Sequence, residues 1–170
     1  LEIAVKNNLT ILGTSDIHGL VDWDFNIPDG GHRPLTFILT KDNSQSSIRE
    51  ALFQGNTFVW FKDLLIGKKE NIEPIINSNL KLKSNGYVGE TTLLEVKISN
   101  LSSASINIEY LGEYTFYKNS KFLSIPPNSS INIQLKTISK LKKINLPFKI
   151  LNVVTGLRKS LKLDYDLEIY

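Results

Sequence analysis

From residue 79 onward the chain alternates apolar and polar residues with a period of two, and this alternation narrows the fold more than any other feature. Leu80-Lys81-Leu82, Leu94-Glu95-Val96-Lys97-Ile98, Ile106-Asn107-Ile108-Glu109-Tyr110, Ile131-Asn132-Ile133-Gln134-Leu135 and Leu161-Lys162-Leu163-Asp164-Tyr165 all follow it. Successive strand side chains point to opposite faces, so each run carries one apolar and one polar face. Antiparallel sheets with one face on a core and one in water are built from such runs. Shorter strands are expected at 114–117, 121–125 and 147–154, with turns at Asn85-Gly86, Ser102-Ser103, Pro126-Pro127-Asn128 and Thr155-Gly156. About seven short strands in roughly 90 residues predict an all-β, immunoglobulin-like sandwich over residues 77–170. Its expected core is Val96, Ile98, Ile108, Ile133, Leu135 and Leu163. The chain has no Cys, so this is not the disulfide-pinned domain of antibodies.

Residues 1–76 read differently. Leu1, Ala4 and Val5 sit at helical spacing, and Asn7-Asn8 ends the helix because Asn tolerates the left-handed conformation. Leu9-Thr10-Ile11-Leu12-Gly13 reads as a buried parallel strand. A loop over 20–34 contains Pro28-Asp29-Gly30-Gly31. Leu35–Leu39 is a second strand. A helix follows, capped by Ser44 or Ser47, with Ser47-Ile48-Arg49-Glu50 in capping-box form and Gln54-Gly55 as its stop. Thr57–Phe61 is a third strand, and helical pieces are expected around Asp63–Gly67 and Lys69–Ile76. Strand, helix and strand in alternation predict α/β architecture.

Charge divides the chain at the same place. Residues 1–75 carry 7 Lys/Arg and 10 Asp/Glu, whereas residues 76–170 carry 13 and 7. The basic half suits anionic polymers, and a solvated sandwich surface is the plainer reading. Its lysines are scattered along strands without the clustered aromatics of a nucleic-acid site. No run of about 18 apolar residues occurs, so no membrane span is expected. A chain free of Cys fits the cytoplasm and the periplasm alike.

The stretch that carries chemistry is Gly13-Thr14-Ser15-Asp16-Ile17-His18-Gly19. In an extended segment, residues i and i+2 project to one side, which would converge Asp16 and His18. A carboxylate and an imidazole suit a divalent ion of the Zn, Mn or Fe type. The alternative is an Asp capping the next turn with a loop His beside it, since two donors do not make a site. Asp22, Asp24 and His32 lie close in sequence, but their spacing matches no known metal loop. Ser15 lacks the Gly-x-Ser-x-Gly surround of an activated serine. Trp23, Trp60 and Phe61 suit either a sugar or base platform or, as is commoner for such runs, a core. Three Asn-x-Ser/Thr matches, at Asn8, Asn100 and Asn128, fit the glycosylation pattern.

Gly-x-Ser-Asp-x-His after a short apolar strand resembles the last metal-binding motif of the PHP (polymerase and histidinol phosphatase) phosphoesterases. The runs Gly31-His32-Arg33-Pro34-Leu35-Thr36 and Ser47–Thr57 resemble the C-terminal end of a bacterial PHP subgroup described as phosphodiesterases, in which an Ig-like domain follows. The resemblance implies that residues 1–76 are the terminal part of a distorted β/α barrel, with the sandwich trailing it. It implies a cluster of up to three divalent metals, with Asp16 and His18 as two ligands, and hydrolysis of a phosphate-ester substrate. The family's early His-x-His and middle Glu and His ligands have no counterpart here, so the remainder of an N-terminal barrel is the implied partner. Arg33 is expected either to grip a substrate phosphate or to pair with Asp22, Asp24 or Asp29. The competing reading is a non-catalytic sandwich that binds a glycan or a protein.

Overall fold

The computed structural model describes residues 1–157 and 159–169. It divides into two compact units. The first comprises residues 1–74 with 153–160, and the second comprises 75–152 with 161–170.

The first unit opens with helix α1 (Glu2–Lys6), closed at Asn7 as expected, with Asn8 at a φ of 53°. Residues 9–13 do not form a strand. They run without a backbone ladder, and Leu9 and Leu12 stay 52% and 58% exposed. The expected buried strand is thus corrected to a partly exposed segment that pairs with no strand among the described residues. The 20–34 loop contains a short helix α2 (Val21–Phe25) and a 3-10 turn at Ile27–Asp29, where Asn26 and Gly30 adopt left-handed conformations.

Strand β1 (Leu35–Ile38) and strand β2 (Thr57–Phe61) form where expected, but they pair antiparallel. Between them runs helix α3 (Gln45–Gln54). Ser44 caps it by accepting from the Ser47 N–H at 3.2 Å, so the box expected between Ser47 and Glu50 is not the one used. Gly55 ends the helix at a φ of 69°, a conformation that costs glycine no steric penalty.

The expected helical piece at 63–67 is instead strand β3 (Leu64–Gly67), antiparallel to β2. The reason is local. Lys62, at a φ of 54°, reverses the chain, and Leu64-Leu65-Ile66 then lies beside β2. The one parallel pairing described in this unit joins β3 to Val153-Val154 at the end of strand β10 (Lys143–Gly156). Helix α4 (Lys69–Asn79) follows β3, with Ile72 buried and Asn71 donating to the Gly55 and Thr57 carbonyls at 2.9 Å each.

The second unit is a β-sandwich. One sheet is β4 (Leu80–Tyr87), β5 (Leu93–Asn100), β9 (Ser129–Lys136) and β7 (Thr115–Phe116), in that order and antiparallel throughout. The other holds β10 paired to β6 (Ile106–Tyr110), which pairs to β8 (Phe122–Ile125), with β11 (Lys159–Glu168) paired to β10. All six expected core residues are buried, joined by Leu94, Ile125, Leu146, Phe148 and Ile150. Asn85-Gly86 is not a turn: it forms an irregularity within β4, between the Ser84 and Gly86 pairings with β5. β10 runs on through the turn expected at Thr155-Gly156.

Candidate functional site

The Asp16-Ile17-His18 segment is positioned by three threonine hydroxyls. Thr10 Oγ1 donates to the Leu52 carbonyl, at the end of α3. Thr57 Oγ1, on the first residue of β2, donates to the Ile11 carbonyl at 2.7 Å. Thr36 Oγ1, on β1, accepts from the Gly13 N–H at 2.9 Å and donates to the Gly13 carbonyl at 3.0 Å. Levels 11 and 13 of the segment thus match levels 57 and 59 of β2. Gly13 is required by this route. A Cβ there would lie 2.3 Å from Val59 Cγ1, so only a residue without a side chain passes so close to β2.

Past Gly13 the backbone departs from the extended course. Asp16 takes a φ of 48°, in the left-handed region where Asp is one of the few tolerated side chains. The i, i+2 argument for convergence assumes extended backbone, from which Asp16 departs. Asp16 and His18 are both exposed. Among the described residues no three His, Asp or Glu side chains gather into a group able to hold a metal ion. The two donors are chemically apt for a divalent ion but fall short of the four or so that close such a centre.

The neighbouring candidates go elsewhere. Asp22 and Asp24 lie exposed on α2. His32 is half-buried against Trp60, ring centroids 4.5 Å apart, and near Phe61 at 6.2 Å. Its Nδ1 lies 2.8 Å from the Arg33 carbonyl. A carbonyl only accepts, so Nδ1 is the donor in this contact. Arg33 is exposed and, among the described residues, forms no ion pair, so the expected bridge to Asp22, Asp24 or Asp29 is not made. Trp60 and Phe61 form a half-buried aromatic cluster with Phe25, His32 and the 39% exposed Phe37, whereas Trp23 is 82% exposed and belongs to no core.

One motif match acquires a structural meaning. Asn100 is fully buried, and its Oδ1 accepts both the backbone N–H and the hydroxyl of Ser102, at 2.9 Å and 2.7 Å. The Asn100-Leu101-Ser102 pattern is therefore a turn that consumes its own amide and not a glycan acceptor. The three threonines were not singled out from sequence, because a hydroxyl at a strand position looks the same whether it faces water or holds a neighbouring segment.

No curated protein matches the chain. The chain is similar to the crystal structure of a two-domain protein from Bacteroides vulgatus that contains a predicted PHP-like metal-dependent phosphoesterase. The two share 24% identity with a TM-score of 0.85, over 97% of this chain and 48% of that one. The chain therefore spans about half the length of that protein, and the likeness extends to its fold. Residues 80–166 match the DUF5001 family of Ig-like domains, and over this half the register, the alternating burial and the two-sheet core all agree with that match. The chain belongs to the DUF5001 Ig-like domain family.

Proposed function

We propose that the chain is the C-terminal part of a metal-dependent phosphoesterase, in which residues 1–76 complete a β/α barrel and residues 77–170 are the attached Ig-like sandwich. The observation that carries this reading is the fold likeness over 97% of the chain to a two-domain protein of about twice its length that contains a predicted PHP-like phosphoesterase. Two features of the first unit support it. The Gly-x-Ser-Asp-x-His sequence follows a segment docked along β2. The apolar side chains Leu9, Leu12 and Leu20 beside it are exposed, as expected of a barrel surface whose other segments lie elsewhere.

In this reading Asp16 and His18 supply two donors to a centre of divalent ions, and residues outside this chain supply the rest. Such a centre provides hydroxide near neutral pH and offsets charge on phosphoryl oxygens. The chain's own contribution is positional. Thr36 and Thr57 fix the segment, and Gly13 lets it lie close to β2.

The test is Asp16→Asn in the longer protein that contains this chain. Asn keeps the shape and one oxygen donor but loses the charge that offsets a divalent cation. Metal content per protein should fall, and hydrolysis of bis-p-nitrophenyl phosphate should drop at least tenfold with partial recovery in excess metal. The 170-residue chain alone should show no metal-dependent turnover. Unchanged metal content and activity in the variant, or brisk turnover by the chain alone, would refute the assignment. The second reading is a non-catalytic binding module, and the failure of the described residues to gather three metal donors favours it over catalysis by this chain alone.

A further inference from the structure

We propose that the outer face of the β4-β5-β9-β7 sheet is a binding surface for an acidic polysaccharide. The inference rests on the sandwich alone and stands whether or not the phosphoesterase reading holds.

Register and burial define the face. In β5, Leu94, Val96 and Ile98 point into the core, so Glu95, Lys97 and Ser99 point out. Pairing then sets Lys83 of β4 directly opposite Lys97, and Lys97 opposite Asn132 of β9. The next row outward along the strands aligns Lys81, Ser99 and Ser130. The row on the other side aligns Glu95 with Gln134, whose carbonyl accepts the backbone N–H of Tyr117. Lys136 lies on the same face, with its ammonium 5.2 Å from the Tyr117 ring centroid, and Lys118 approaches that ring at 5.5 Å.

The Lys83–Lys97 pair is the telling feature. Directly opposed side chains on adjacent strands have Cβ atoms about 5 Å apart, and like charges there destabilise the sheet. Elsewhere on the sandwich four lysines stand beside carboxylates, Lys121 and Lys149 with Glu109, Lys143 with Asp166 and Lys140 with Glu90, whereas Lys142 and Lys162 form no ion pair among the described residues. On this face no ion pair is formed by Lys81, Lys83, Lys97 or Lys136 among the described residues. The face's one carboxylate, Glu95, accepts from the Asn85 amide at 3.0 Å. Lys81 donates to the Asn77 carbonyl at 3.0 Å, but no carboxylate offsets these cations, and their repetition along the ladder is complementary to a polymer that carries regularly spaced anions.

The groups between the lysines indicate which polymer. Asn132, Gln134, Ser99 and Ser130 alternate with the cations and offer amide and hydroxyl hydrogen bonds to a hydroxyl-rich chain. Tyr117, half-exposed at the sheet edge, gives one ring on which a sugar's apolar face can rest. Sheets that read single-stranded nucleic acid instead present several aromatics to stack successive bases, and this face has one.

The full 170-residue chain would be titrated against polygalacturonate, neutral dextran and single- and double-stranded DNA at low and physiological salt. Polygalacturonate should bind in a salt-sensitive manner, and dextran should not. The double variant Lys83→Ser/Lys97→Ser should weaken polygalacturonate binding at least tenfold, while its unfolding midpoint stays level or rises as the repulsion is relieved. The control Lys6→Ser/Lys162→Ser removes equal charge elsewhere and should change binding less than twofold. Absence of polygalacturonate binding, equal losses in both variants, equal dextran binding, or tighter binding of DNA than of polygalacturonate would each overturn the proposal.

Discussion

Replacing Asn100 by Ala should destabilise the sandwich by about 2–4 kcal/mol. Asn100 ends β5 with no exposure, and its amide nitrogen faces three carbonyls: Ala104 at 2.8 Å, Pro126 at 3.0 Å and Ile125 at 3.1 Å. Two N–H groups serve three acceptors, so one hydrogen is shared. Truncation does not orphan all of them. The Ala104 carbonyl keeps the Ser102 hydroxyl and the Pro126 carbonyl keeps the Ser129 hydroxyl, each at 2.9 Å. The Ile125 carbonyl still faces Ile106 across the β6–β8 ladder, so the loss falls on the Ser102 N–H, at about 1–3 kcal/mol for a group left without its partner. The emptied side-chain volume adds about 1 kcal/mol. Asn100→Asp should be worse at neutral pH, because a carboxylate oxygen then faces the carbonyls. Ser102 still donates to one carboxylate oxygen, but burial and the carbonyls facing the other oxygen raise that carboxyl's pKa in the folded state. Its cost should therefore shrink as pH falls and the acid form, able to donate, takes over. Urea denaturation monitored by circular dichroism at neutral and acidic pH measures both variants. A loss below about 1 kcal/mol for Asn100→Ala, or a wild-type midpoint for Asn100→Asp at neutral pH, would refute the reasoning.

Gly13→Ala should push the motif segment off β2 and cost about 1–3 kcal/mol through overpacking against Val59; thermal unfolding measures it, and Val59→Ala in the same background should recover part of the loss. Tyr110 is 4% exposed and burial pushes its hydroxyl up to about 12, so the folded state holds that proton more tightly than the unfolded chain does. Stability should therefore decline as pH rises from about 10 to 12, by roughly 2 kcal/mol at most, and Tyr110→Phe should abolish that decline in denaturation midpoints read against pH. Val96→Asp should cost several kcal/mol, since Val96 is fully buried and an unpaired carboxylate there is expensive; failure to see a large fall in melting temperature would show that the sandwich interior admits water.

The sandwich was legible because its physics is local. A period-two run commits every second residue to the core, so Val96, Ile98, Ile133 and Leu135 announce both a strand and its buried face. The first unit gave less away. Leu9–Gly13 has the composition of a central strand, but whether a strand forms depends on neighbours on both sides, and those are set by tertiary context. Leu64–Gly67 was misread as helical because four residues are too few to show a period; pairing with β2 decides their state. At the candidate site, the residue types of Asp16 and His18 were readable as metal donors. The left-handed backbone at Asp16 was not, because Asp is compatible with several conformations and its φ is fixed by the loop around it.

The hydroxyl tethers at Thr10, Thr36 and Thr57 also set a timescale. Residues 10–12 contribute no N–H to the described backbone-to-backbone bonds, and the attachment of Gly13 to β1 runs through one side-chain oxygen. Releasing this stretch breaks a few side-chain bonds and leaves the β1-β2-β3 ladder intact. Local opening of that kind requires only part of the free energy of global unfolding. In hydrogen exchange, the amides of Ile11 and Leu12 should become labelled well before those of Phe58 and Val59 beside them. The segment that bears Asp16 and His18 would thus open and close many times within the lifetime of the folded unit that carries it.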